Sequence, residues 1–148
     1  MSDVFSRRKR SEIMTRVRSR GNLATELRLI AIFRQFNLKG WRRNQKIFGK
    51  PDFVFYEGRL AVFVDGCFWH GCKIHRNIPK SNTSFWSNKI IRNIRRDATV
   101  RRTLNDYGWS VLRIWQHDLS DPAKVGKRVG RALIRLRSRE NLGRRKDE

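Results

Sequence analysis

The stretch VDGCFWHGCKIH, residues 64–75, holds both cysteines of the chain and two of its three histidines. Cys67 and Cys72 are separated by four residues, and His75 follows after two more. A thioredoxin-type redox pair would read Cys-x-x-Cys, which this does not. A reducing interior disfavours a disulfide, and the neighbouring imidazoles favour metal. A structural zinc takes four thiolate or imidazole ligands. Five residues qualify, namely Cys67, His70, Cys72, His75 and His117, which are all the cysteines and histidines present. One is therefore left over. If His70 is not a ligand, it lies beside the metal loop as the spare imidazole.

A second constellation is acidic. KPDF opens one apolar run and VFVDG closes the next. The pattern resembles the PD-(D/E)XK nuclease signature, in which Pro-Asp is followed by Asp/Glu-x-Lys on the next strand and preceded by a helical glutamate. Phosphodiester cleavage needs hard oxygen ligands for Mg²⁺ and a base for the attacking water. Asp52 is the metal-ligand candidate and Glu26 the helical acid. The second half of the signature is degenerate, because Phe63 and Asp65 stand where the acid and the lysine belong. Another base is required, and His70 is available with a suitable ordinary pKa. Asp97 could orient it as a carboxylate orients a catalytic histidine, or pair instead with Arg95, Arg96 or Arg101.

The elements that must position these groups follow from periodicity. NLATELRLIAIFRQFNLKGW predicts an amphipathic helix through Leu23, Leu27, Ile30 and Phe33–Phe36, ended by Gly40. DFVFY and LAVFV predict two strands joined at Gly58. SFWSNKIIRNIRRDATVRRTLNDYG predicts a second helix through Ile90, Ile91, Ile94, Val100 and Leu104, ended by Gly108. WSVLRIWQH predicts a third strand ending at His117, with Trp109 and Trp115 in the core. A basic helix follows Pro122, with Val125, Val129, Leu133 and Leu136 as its stripe, and residues 138–148 are expected to form a flexible tail. This order predicts an α/β fold, a mixed β-sheet flanked by helices. At 148 residues it fits one domain, 1–148, with residues 1–21 as a basic segment that contacts DNA.

The chain carries 35 Lys and Arg against 13 Asp and Glu, a net charge of +22. Such self-repulsion is unnecessary for solubility, and the charge runs through the whole sequence rather than along one membrane-binding helix. Nucleic acid is the expected partner. No apolar run approaches the roughly 20 residues of a membrane span. The basic N-terminus lacks a signal core, so the cytoplasm of a prokaryote, at the nucleoid, is the expected location.

GKPDF, VFVDGCFWHGC, the FW…K…N…RD series and GW.VLRIW.H.L together resemble the very short patch repair (Vsr) endonucleases, in order over roughly residues 6–136. The resemblance implies a Mg²⁺-dependent, strand-specific nickase that cuts 5′ of the mispaired T in T:G mismatches left by 5-methylcytosine deamination. It implies a nuclease core with an added structural zinc. By residue, Asp52 and the Val64 carbonyl would bind Mg²⁺, His70 would be the general base supported by Asp97, and Glu26 would act through metal-bound water. Cys67, Cys72, His75 and His117 would hold Zn²⁺. Phe68, Trp69 and Trp86 would wedge into the base stack, with Met14 entering from the other groove beside Ile13 or Val17. A wedge of this kind discriminates by the ease of unstacking. Some members carry a histidine at the position of Asp65, which here could ligate metal or accept backbone N–H bonds.

The resemblance further implies double-stranded DNA as the partner, a monomer acting on an asymmetric target, and a functional link to a DNA cytosine methyltransferase and mismatch repair proteins. The sequence leaves two alternatives. One is a related nicking nuclease with a different DNA target. The other is a zinc-stabilised DNA-binding module without catalysis, which would need neither Asp52 nor His70.

Overall fold

The computed structural model describes residues 23–67 and 83–146. Element order is α1 (Leu23–Gln35), β1 (Trp41–Arg43), β2 (Phe53–Phe55), β3 (Leu60–Asp65), α2 (Thr83–Asp106), β4 (Ser110–Trp115), a 3₁₀ turn (Gln116–Ser120) and α3 (Pro122–Lys146). The four strands form one sheet in the order β1-β2-β3-β4. β1, β2 and β3 are antiparallel neighbours, with Phe53 opposite Val62. β4 runs parallel to β3, Val64 opposite Ile114, because α2 carries the chain back to the end of the sheet at which β3 begins. The sheet is therefore mixed and flanked by helices, as the sequence predicts.

β3 is buried along its whole length, which is why LAVFV reads as a continuous apolar run rather than an alternating one. Successive side chains still face opposite ways. Leu60, Val62 and Val64 join Phe53, Phe55 and Ile114 in a core covered by α1 and α3. Ala61 and Phe63 face the other layer, where Val100 and Leu104 of α2 close a smaller core. The first core is built around Phe33, which meets Phe53 and Phe55 edge-to-face at 5.2 and 5.5 Å between centroids. Each such pair contributes about 0.5–1.5 kcal/mol beyond area burial.

The structure differs from the expected elements at particular places. α1 ends at Gln35, with Asn37 in the left-handed region (φ 54°) and the Leu38 nitrogen donating to the Phe33 carbonyl at 2.8 Å. Asn37, rather than Gly40, ends that helix. Its buried stripe runs through Leu29, Ile30, Ile32 and Phe33, leaving Leu27 exposed. The short strand β1 is absent from the sequence reading, since WRR has no apolar alternation. In α2, Ile90, Val100 and Leu104 are buried as expected, whereas Ile91 and Ile94 are exposed. Gly108 does end α2, at φ 85°. α3 continues through Lys146 where a flexible tail is expected from 138. The hairpin tip holds that segment: the Gly58 nitrogen donates to Glu140 Oε1 at 3.0 Å, and Arg137 pairs with Glu57 at 3.3 Å. Among the described residues no helix is long and apolar enough to cross a membrane.

Candidate active site

Asp52 enters β2 directly behind Pro51 and is buried. Its Oδ2 accepts a hydrogen bond from the Val64 nitrogen at 2.8 Å, so the carboxylate is tied to the neighbouring strand next to the Val64 peptide. Glu26 comes from the first turn of α1 and is also buried. It pairs with Arg43 of β1, which explains how an acid sits at the edge of an apolar helix face. A cleft of about 390 Å³ is lined by Glu26, Asn44, Gln45, Lys46, Lys50 and Asp52. Two acids placed 26 residues apart by the sequence thus face one cavity. Carboxylate oxygens are the donors a hard divalent cation takes, so the residues lining this cleft fit Mg²⁺.

The same cleft contains residues that the sequence reading misses. Lys46 and Lys50 bring cations to a site whose signature lysine is replaced by Asp65. Their loop is held tightly. Gln45 Nε2 donates to the Arg43 carbonyl at 2.9 Å, and Tyr56 donates to Gln45 Oε1 at 2.7 Å. Gly49 has φ 78°, and a Cβ there would stand 2.4 Å from Val100 Cγ1 of α2. The local signal is KIFGKPD itself: a glycine that must turn left-handed between two lysines, just before Pro-Asp.

Asp97 lies on α2 and lines a second cavity, of about 220 Å³, with Asp65, Ile94, Arg101, Arg113 and Trp115. Among the described residues it pairs with Arg113, at 3.5 Å, rather than with Arg95, Arg96 or Arg101. Asp65, at 3% exposure, also faces Arg113. Trp86 is half-buried on the first turn of α2, with Phe85 edge-on at 5.1 Å and the Lys89 ammonium 5.7 Å from its ring centre.

His117 is on the 3₁₀ turn after β4, not at the strand end. That turn points its Nδ1 at Cys67 Sγ, 3.2 Å away, while Nε2 stands 3.5 Å from Asp118 Oδ1. Two ligands of one tetrahedral zinc stand about 3.5 Å apart, from bonds of about 2.3 and 2.0 Å. A carboxylate behind the histidine is the usual outer support of such a ligand. The pair fits a zinc site. Among the described residues, however, no group of three or more His, Cys, Asp or Glu side chains is gathered around one point. Trp115 stacks on His117, with 6.3 Å between centroids and 10° between planes. Trp109 packs against the smaller core. His70, Cys72, His75, Phe68, Trp69 and Met14 lie outside the described residues, as do Ile13 and Val17.

The family model for the DNA mismatch endonuclease Vsr matches residues 2–76. The chain belongs to the Vsr endonuclease family. A type II nicking enzyme of Neisseria meningitidis, V.NmeAIP, is 34% identical over 140 residues, 93% of this chain and 98% of that protein. The DNA mismatch endonuclease Vsr of Escherichia coli is 35% identical over 127 residues, 84% of this chain and 80% of that one. The type II nicking enzyme V.NaeI of Lentzea aerocolonigenes is 51% identical over 69 residues, 47% of this chain and 42% of its own length. Membership of the Vsr family makes the chain an endonuclease acting on DNA. Within that family, the cleft between Asp52 and Glu26 is the candidate cutting site.

Proposed function

We propose that this endonuclease nicks one strand of duplex DNA 5′ of the mispaired T in a T:G mismatch, with Mg²⁺ at Asp52 and the Val64 carbonyl. The observation that carries the reading is the convergence of Asp52 and Glu26 on one cleft that also presents Lys46 and Lys50. Bound Mg²⁺ would supply Lewis-acid neutralisation of the scissile phosphate. Asp52 is held rigid by its bond from the Val64 nitrogen, so it needs no reorganisation to serve as a ligand. Glu26, which lines the same cleft, would act through metal-bound water. His70 takes the proton of the attacking water, with Asp97 supporting the imidazole. Lys46 and Lys50 hold the flanking phosphates. Trp86, Phe68 and Trp69 open the stack at the mismatch from one groove and Met14 from the other.

Cys67, Cys72, His75 and His117 hold a structural zinc that ties the loop after β3 to the turn after β4. The enzyme works as a monomer in the cytoplasm, downstream of a DNA cytosine methyltransferase and beside mismatch repair proteins. A second reading, a nickase with a changed DNA target, is favoured by the type II nicking enzymes among the relatives. It keeps the same cleft.

A nicking assay with Mg²⁺ separates the two. Duplexes carrying one T:G mismatch in varied contexts run beside matched T:A and C:G duplexes, with Asp52→Ala and His70→Ala as controls. A nick confined to the T strand and lost in both variants supports mismatch repair. Equal cutting of matched DNA replaces it with the changed-target reading, and no cutting of any duplex removes both.

A further inference from the structure

Arg113 is the one described side chain that touches two carboxylates from different elements of the smaller cavity. β4 places it on the α2 side of the sheet, in register with Phe63 of β3. Its guanidinium lies over the Phe63 ring at 4.5 Å from the centroid. Nη1 donates to both carboxylate oxygens of Asp65, at 2.9 and 3.1 Å. Nη2 stands 3.5 Å from Asp97 Oδ1 and 3.5 Å from the Asp97 carbonyl. The Arg113 carbonyl in turn accepts from Arg128 Nη2 of α3 at 3.1 Å. The Asp65, Asp97 and Arg113 side chains are 4%, 13% and 15% exposed.

These contacts have a direction. The side chain of Asp65 is the most buried of the three, and it takes one whole arm of the guanidinium. The Phe63 ring lies under the guanidinium and restricts its movement. With Nη1 held by Asp65 over the ring, Nη2 is turned toward Asp97 on α2. A buried carboxylate gripped by an arginine is also a poor candidate for a cation ligand, since turning to a metal would break both bonds it accepts from Nη1.

We infer that Arg113 is a positioning residue for strand cleavage: anchored by Asp65, it sets the orientation of the Asp97 carboxylate. This rests on the proposal that Asp97 supports the base. It gives Asp65 the role of anchor in place of metal ligand, and it adds a positioning residue on a different element from Asp97. A lysine at 113 would keep the charge but lose the fork that serves two carboxylates at once. Misplacement of a supporting group costs about 10- to 100-fold in rate.

The test is single-turnover nicking of a T:G duplex with Mg²⁺ by the wild type, Arg113→Lys, Asp97→Asn and the double variant, with DNA affinity and thermal midpoint measured for each. Arg113→Lys, assayed below its own thermal midpoint, should cut about 10- to 100-fold more slowly with the DNA affinity of the wild type. The double variant should be no slower than Asp97→Asn alone, because Arg113 acts through Asp97. A rate within about twofold of wild type, an additive double variant, or a loss confined to affinity would each overturn the inference while leaving the nickase reading intact. Should Arg113→Lys fail to fold, Asp65→Asn takes its place under the same criteria. A wild type that cuts no mismatched duplex removes the functional reading and this inference with it.

Discussion

Asp52 and Val64 are joined across adjacent strands: the carboxylate Oδ2 accepts from the Val64 nitrogen at 2.8 Å. One residue is thereby both a strand-pairing device and the wall of the acidic cleft. Asp52→Asn keeps an oxygen that can accept the same bond, so the fold should persist. Its charge is lost, and the nicking rate should fall by about 10³-fold or more, the equivalent of roughly 4 kcal/mol in the barrier. Circular dichroism and single-turnover cutting on one preparation check both halves of this prediction.

Glu26 carries a structural load as well as a proposed catalytic one. Its partner Arg43 loses a charged acceptor in Glu26→Gln, while the amide retains the shape. We expect a loss of about 1–3 kcal/mol in urea unfolding, because a charge-assisted bond at a largely buried acid is replaced by a neutral one. Glu26→Gln should also slow cutting. An unchanged unfolding midpoint would mean the pair contributes nothing to stability.

Gly49 holds the lysine loop against α2. An alanine there combines a left-handed backbone with a methyl 2.4 Å from Val100 Cγ1. Gly49→Ala should cost about 2–4 kcal/mol. Adding Val100→Ala should recover the contact part, so the double variant loses less than the sum of the singles. Strict additivity would show that the loop and helix do not press on each other.

Zinc should be present at one equivalent per chain in purified protein, measured by elemental analysis. His117→Ala should lose it. Asp118→Asn should retain the ligands yet bind zinc about 10- to 100-fold more weakly, since the carboxylate near Nε2 no longer supports the ring. Trp115, stacked on His117, gives a fluorescence change on chelation as an independent readout. Zinc affinity unaltered by both substitutions would remove His117 from the site.

The charge of +22 predicts steeply salt-dependent DNA binding. Replacing Lys46 and Lys50 together by alanine should lower the log–log salt slope by about 2, if each neutralises one phosphate. Affinity for matched and mismatched DNA should fall alike, because phosphate contacts position the protein without specifying bases. A slope equal to that of the wild type would place both lysines away from the backbone.

The residue types and their order along the chain determined much by themselves. The α/β order, the Gly58 hairpin, the Gly108 helix end and the stripe Val125–Val129–Leu133–Leu136 follow from local periodicity and turn chemistry, which short-range sterics enforce. Asp52 and Glu26 were legible as acids of a nuclease pattern, and PD and GCFWHGC identified the family. Only the tertiary structure decided which distant groups meet. Glu26 reaches the Asp52 cleft because α1 packs on the face of the sheet where Phe53 and Phe55 hold Phe33. Arg113 meets Asp65 and Asp97 because β4 lies parallel to β3 and α2 crosses above both. His117 meets Cys67 because a 3₁₀ turn, not a strand end, follows Trp115. Such meetings depend on pairing register and layer packing, and these are long-range choices that no periodicity within one segment encodes.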